Sequence, residues 1–162
     1  MPKKQESFVA YYNQFKDKIY AYFLYRVGFD IKVAEDLTSE AFLKALKKFD
    51  DFDTEKPFQP WIFAISHNHL VNHYKSAKRE VPLEEIQNFV KCAGVKIEEK
   101  FELERVMGII NQMKEGDKEI LLLRFAQGLT NMEIADVLDK EEGAVRTQIS
   151  RSLSKLREVL KQ

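Results

Sequence analysis

Large apolar residues near the start of the chain recur three and four positions apart, and that spacing admits little except α-helix. Phe8, Tyr12, Phe15, Ile19 and Tyr22 fall on one side of a 3.6-residue repeat and predict a helix from about Ser7 to Val27. No segment alternates apolar and polar residues as a half-buried strand would, and no internal repeat is present. With only 6 glycines and 4 prolines in 162 residues, few positions break helices. The predicted fold is all-α.

The breakers that do occur divide the chain. Gly28 suits the end of the first helix and Asp30 can cap a second, which runs toward Phe49 with Leu37, Ala41, Ala45 and Phe49 facing a partner. Asp50 to Pro57 reads as a loop, and Pro60 suits the first turn of a helix continuing from Trp61 to about Lys78. Trp61, amid Ile62, Phe63 and Ile65, reads as core. Lys75, Lys78 and Arg79 close that helix with charge that suits its dipole.

Residues 80–104 differ in kind. Seven glutamates stand there against Lys91, Lys96 and Lys100, interrupted by Pro82 and Gly94. They read as an acidic linker with at most a short helix near Leu83–Val90. The expected organisation is two small helical domains, residues 1–79 and 105–162, joined by that linker. In the second, Val106, Ile109, Ile110 and Met113 form a stripe. Gly116-Asp117 reads as a turn with its cap, and a helix from Ile120 to Ala126 ends at Gly128.

Composition narrows the function. The 26 basic and 26 acidic residues cancel, which excludes a general polycation but leaves room for a local basic face. The single cysteine, Cys92, has no partner for an internal disulfide, as suits a reducing compartment. No apolar run approaches the roughly 20 residues that span a bilayer. The N-terminal lysines have no apolar core behind them, so no secretory signal is read. The expected location is cytoplasmic.

A local basic face does occur near the C-terminus. Thr130-Asn131-Met132-Glu133 is a capping box, followed by the inward positions Ile134, Ala135 and Leu138. After a polar turn, Asp139 to Glu142, a longer helix begins at Gly143. Val145, Ile149, Leu153, Leu156 and Leu160 mark its inward side, and Arg146, Thr147, Ser150, Arg151 and Ser154 share the other. From Gly143 to Gln162 five cations oppose one acid, a net of +4 in a neutral chain. Arginine can grip a guanine edge by two hydrogen bonds, and hydroxyls hold phosphates. The pattern is that of a helix-turn-helix whose second helix enters the major groove. An ordinary hairpin with a solvated basic face would share much of it.

Three stretches resemble one family. Ile120-Leu121-Leu122-Leu123-Arg124-Phe125-Ala126-Gln127-Gly128-Leu129-Thr130 through Ala135, then Gly143-Ala144-Val145-Arg146-Thr147-Gln148-Ile149-Ser150-Arg151, is similar to the promoter-binding domain of extracytoplasmic-function (ECF) sigma factors of bacterial RNA polymerase. Arg26-Val27-Gly28 and Ala34-Glu35-Asp36-Leu37-Thr38-Ser39-Glu40-Ala41-Phe42 resemble that family's polymerase-docking helix. Phe58-Gln59-Pro60-Trp61-Ile62-Phe63-Ala64-Ile65-Ser66-His67-Asn68 resembles the helix beside its promoter-melting loop.

The resemblance implies a transcription initiation factor with no catalysis and no cofactor. Asp36, Ser39 and Glu40 would dock on core RNA polymerase. Asp53 and Thr54, in the 50–57 loop, would capture a flipped base of the −10 element. Lys47, Lys48 and Lys56 would flank it, and Asn68, Asn72 and Lys75 would meet the same DNA. Arg146, Thr147, Ser150 and Arg151 would read the −35 element, with Lys155 nearer phosphate. An anti-sigma factor is an implied partner beside core polymerase and promoter DNA.

The chain departs from the family's usual pattern at His67 (often Arg), Asn72 (Asp), Asp139 (Gly) and Gln148 (a basic residue); the changes at His67, Asp139 and Gln148 lower positive charge, and they bear on promoter sequence and affinity more than on the fold. Two other readings stay open: a ligand- or dimerisation-controlled helix-turn-helix regulator, and a small metal-dependent hydrolase. The second would use His69 and His73, spaced i,i+4. Leu70-Val71-Asn72 between them lacks the metalloprotease glutamate, and no third ligand is evident, so no metal is expected.

Overall fold

The computed structural model describes residues 2–76 and 97–161, in which every regular element is helical. The short helix expected near Leu83–Val90, and Lys78, Arg79 and Cys92, lie outside the described residues.

Helix α1 spans Pro2–Arg26 and α2 spans Ile31–Lys48. Gly28, at φ 64°, supplies the left-handed turn between them, and Phe29, also left-handed, closes it with an amide donated to Leu24 O at 2.8 Å. Asp30 caps α2 by accepting the Val33 amide at 3.2 Å. Leu37, Ala41, Ala45 and Phe49 are buried. Tyr12 departs from its expected place: at the margin of the α1 stripe it is 40% exposed, while its ring edge meets Phe42.

After a 3-10 turn at Phe49–Asp51, α3 spans Phe58–Ser76, with Pro60 in its first turn. The loop between them is pinned from beneath by an aromatic cluster. Phe52 is buried against Trp61 at 4.8 Å, and Phe58 stacks on Tyr11 at 4.3 Å with the rings 3° from parallel. Aromatic pairs of this kind add roughly 0.5–1.5 kcal/mol each beyond area burial. Trp61 packs on the core while remaining partly accessible.

Helix α4 spans Ile97–Gln112, so it starts inside the stretch read from sequence as linker. Helix α5 spans Glu115–Leu121 and widens into a π turn over Leu122–Ala126, with the Gln127 amide reaching back to Leu122 O at 2.9 Å. Gly128, at φ 72°, then ends it as predicted. Gly116-Asp117 is not a turn with its cap. The cap position is Lys114, and Gly116 and Asp117 lie in the first helical turn, where an acid suits the helix dipole. Asp117 faces inward instead of capping.

Helix α6 spans Asn131–Leu138 and begins at the full capping box of Thr130 and Glu133. Asp139 takes a left-handed conformation, φ 53°, at the start of the connection to α7, Glu142–Leu160. A short polar side chain tolerates that backbone better than most. On α7 the buried positions are Val145, Ile149 and Ser152, so the inward stripe turns to Ser152 and leaves Leu153 and Leu160 half-buried.

The two sets of helices do not stand apart. Helix α3 packs along α6, α1 meets the π turn, and residues of both sets join one apolar cluster. Ile19, Phe63, Leu70, Leu123, Leu129 and Ile134 are fully enclosed in it. Each such side chain contributes roughly 1.5–3 kcal/mol by leaving water.

Candidate nucleic-acid and partner interface

The outward side of α7 carries the side chains singled out for DNA. Arg146, Thr147, Ser150 and Arg151 are all exposed. Arg146 forms an ion pair with Glu142 at 2.9 Å, one turn earlier on the same helix, and keeps 67% of its side chain in solvent. The Thr147 hydroxyl donates to Gly143 O at 3.0 Å. Arg151 forms no ion pair with any described residue. Lys155 has a partner within the protein. Its ammonium is held by Asp117 at 3.0 Å, although 55% of its side chain is exposed.

On α2, Asp36, Ser39 and Glu40 are exposed along one ridge. Glu40 is not a free carboxylate. It accepts from His69 Nε2 at 2.7 Å, and Lys44 donates to His69 Nδ1 at 2.9 Å. This chain is satisfied when His69 carries its proton on Nε2. The i,i+4 partners Glu40 and Lys44 thus meet through a ring of α3, and His69 is committed to that bridge. His73 faces Tyr74 at 5.9 Å. Among the described residues no three His, Cys, Asp or Glu side chains gather as metal ligands would.

The candidate −10 residues lie along the end of α2, the loop and α3. Lys47, Lys48, Asp53, Thr54, Lys56, Asn68, Asn72 and Lys75 are all exposed. Asp53 shapes the loop by accepting the Glu55 amide at 3.0 Å, with the Lys56 amide on its carbonyl. Its carboxylate is therefore partly used in holding the turn.

A polar clasp between the two sets of helices has no signature in the local residue pattern. Arg26 ends α1 with a side chain 5% exposed and pairs with Glu119 of α5, itself 5% exposed, and with Glu115 at 2.8 Å. Glu119 also accepts the Tyr22 hydroxyl at 2.6 Å, and His67 Nδ1 lies 3.0 Å away. Burial pushes the Tyr22 hydroxyl far above its ordinary range, against the opposing charge of Arg26. Tyr74 donates to the Arg26 carbonyl. Beside these groups opens a cleft of about 1040 Å³, with Lys75 and Lys140 at its rim. Farther along, Lys18 donates to Gln59, which donates to Glu133 of the capping box at 2.9 Å. The partners in these contacts lie between 41 and 97 positions apart, so no local spacing could announce them.

Burial, then the charges of Arg26 and Lys140, lower the His67 pKa from 6.5 to about 4. The neighbouring Glu119 pulls the other way, but its charge is already taken up by Arg26. The unfolded chain therefore binds a proton at His67 that the folded chain refuses, so stability is lost as pH falls from about 6.5 to 4. Thermal unfolding across this window should show a falling midpoint, and His67→Gln should flatten that fall. An equally steep fall in the variant would remove His67 as its cause.

The helical fold, the exposed Arg-Thr-Ser-Arg face and the acidic ridge are compatible with a DNA-dependent transcription protein, and the class itself comes from comparison with known proteins. Residues 11–80 match the model for sigma-70 region 2, and residues 103–156 match that for sigma-70 region 4. The chain is 32% identical over 161 residues to the ECF RNA polymerase sigma factor BldN of Streptomyces coelicolor, covering 96% of this chain and 61% of that protein. It is 27% identical over 170 residues to the ECF RNA polymerase sigma factor SigW of Bacillus subtilis, covering 97% of this chain and 90% of that one. The sigma factor RpoE, solved with the anti-sigma factor NepR from Bartonella quintana, superposes with a TM-score of 0.75 over 96% of this chain and 98% of that one. At 21% identity that likeness speaks to the fold.

The two region models together account for well over half of the chain, and the chain belongs to the sigma-70 family of RNA polymerase sigma factors, in its ECF group. Membership does not favour the regulator or hydrolase readings.

Proposed function

We propose that this chain binds core RNA polymerase and directs it to promoters, acting by binding alone, without cofactor or catalysis. Residues 1–79 dock on polymerase and engage the −10 element, residues 80–104 connect, and residues 105–162 read the −35 element. Within them, Asp36, Ser39 and Glu40 face polymerase. Lys47, Lys48, Asp53, Thr54, Lys56, Asn68, Asn72 and Lys75 meet the melted strand, and Arg146, Thr147, Ser150 and Arg151 meet the upstream duplex.

The observation that carries this reading is the division of α7. Val145, Ile149 and Ser152 are buried, while two arginines and two hydroxyls project outward from the same helix. A helix backed by apolar packing and fronted by Arg, Thr and Ser meets the needs of major-groove contact, where phosphates position the helix and base edges specify it. No described helix is long and apolar enough to cross a membrane, and the proposed place of action is the cytoplasm. An anti-sigma factor is the proposed regulator, in keeping with the NepR complex of the RpoE relative.

The test is association with bacterial core polymerase. Wild-type chain should bind at micromolar concentration and give promoter-dependent transcripts. Asp36→Arg with Glu40→Arg should weaken binding by more than about tenfold, since placing like charges across an interface costs several kcal/mol. Circular dichroism should show the helices retained despite the lost His69 bridge. Failure of the wild type to bind would refute the function. Full affinity in a folded double variant would refute the docking ridge.

A further inference from the structure

Helices α5 and α7 are joined by a polar contact that the reading of α7 did not require. Asp117 is 8% exposed in the first turn of α5. One carboxylate oxygen accepts the Ser152 hydroxyl at 2.7 Å, and the other accepts the Lys155 ammonium at 3.0 Å. Ser152 is fully buried, whereas Lys155 stands at the rim, one turn beyond Arg151. The neighbouring residue matters too. A Cβ on Gly116 would come 3.2 Å from Gln148 Nε2, and Gln148 in turn accepts Lys140 at 3.0 Å. Asp117 shares a shallow cleft with Thr147, Arg151 and Lys155.

We propose that Asp117 is a positioning residue of the duplex-reading surface, seating α7 through Ser152 and holding the Lys155 ammonium in reserve. Lys155 then reaches a DNA phosphate only by exchanging one anion for another. This rests on α7 being the duplex-binding helix.

Burial opposes ionisation of Asp117, but the Ser152 hydroxyl and the Lys155 ammonium outweigh it and bring the carboxyl below its ordinary value. Asp117 is therefore charged at neutral pH. Moving Lys155 away would leave that enclosed carboxylate with the Ser152 hydroxyl but without a counter-charge, which is costly. Random-sequence DNA, offering only phosphates, gives little to offset this. A well-fitted site that orders the whole of α7 gives more. The pair thus suppresses non-specific binding.

Salt titration of the full chain with a fluorescent duplex of mixed sequence tests this. Asp117→Asn keeps an oxygen for Ser152 and removes the charge. It should bind the duplex more tightly at low salt. Its log affinity should fall more steeply with log salt, by up to about 0.9 for one added phosphate contact, or about threefold more loss over a fourfold rise in salt. Adding Lys155→Ala should abolish the extra steepness. A merely structural Asp117 would weaken binding at every salt concentration without steepening the line.

Parallel lines for wild type and Asp117→Asn would overturn the proposal, as would steepening that survives Lys155→Ala. Arg151→Ala separates the two layers. If it leaves duplex affinity unchanged, the reading of α7 fails and this proposal with it. If it weakens binding while the Asp117→Asn line stays parallel, only the proposal fails. A second measurement needs no variant: in the wild-type chain Lys155 should be acetylated more slowly than exposed Lys161, and equal rates would overturn the held ammonium.

Discussion

Glu119→Ala should lower the unfolding free energy by about 3–5 kcal/mol, because it removes one side of an enclosed ion pair and leaves the other charge unmatched. The Arg26 side chain would keep only Glu115, whose own side chain is 64% exposed and well screened. The buried Tyr22 hydroxyl would lose its acceptor and His67 its neighbour. Urea denaturation measures the loss as a drop in midpoint. Replacing both partners with apolar groups of similar size, Arg26→Met with Glu119→Leu, should recover most of it, since the desolvation cost disappears along with the attraction. A single Glu119→Ala variant within about 1 kcal/mol of wild type would show that the clasp holds little.

Arg146→Ala and Arg151→Ala should each reduce promoter recognition by about 1–3 kcal/mol where the arginine makes a bidentate base contact. That is roughly a five- to 150-fold loss in transcription from a promoter with an intact −35 element. For Arg146, the severed Glu142 pair does not confuse the result. It is exposed and of the i,i+4 type, worth only about 0.3–0.5 kcal/mol. Arg151 has no ion pair to lose among the described residues, so its effect is the cleaner of the two. Unaltered transcription in both variants would take the recognition face off α7.

What could be read from the chain was what its physics makes local. The Phe8–Tyr22 stripe apart from Tyr12, the Asp30 cap, the Thr130–Glu133 box and the Gly28 and Gly128 stops each depend on residues within a few positions, and all recur in the structure. The face of α7 was legible for the same reason, since one helix orders it.

Misreadings arose where a local signal competed with a distant partner. Gly116-Asp117 has the composition of a turn, but the Asp117 carboxylate serves Ser152 and Lys155, 35 and 38 positions away. The charge of Lys155 is visible in the chain, but its Asp117 counter-charge is not. The Arg26–Glu119 clasp and the His69 bridge were invisible on the same grounds. Glu40, on the docking ridge, is also shared with a ring 29 positions on.

The bond from Gln59 to Glu133 bears on how the molecule could rearrange. Glu133 spends one oxygen on the Thr130 amide and the other on Gln59. Drawing α3 away from α6 would strip off the second and leave the first in place, so α6 would keep its start and α7 its seat. The start of α6 would therefore outlast such a parting, although the apolar cluster shared by the two sets and the Arg26–Glu119 clasp would both be broken open by it.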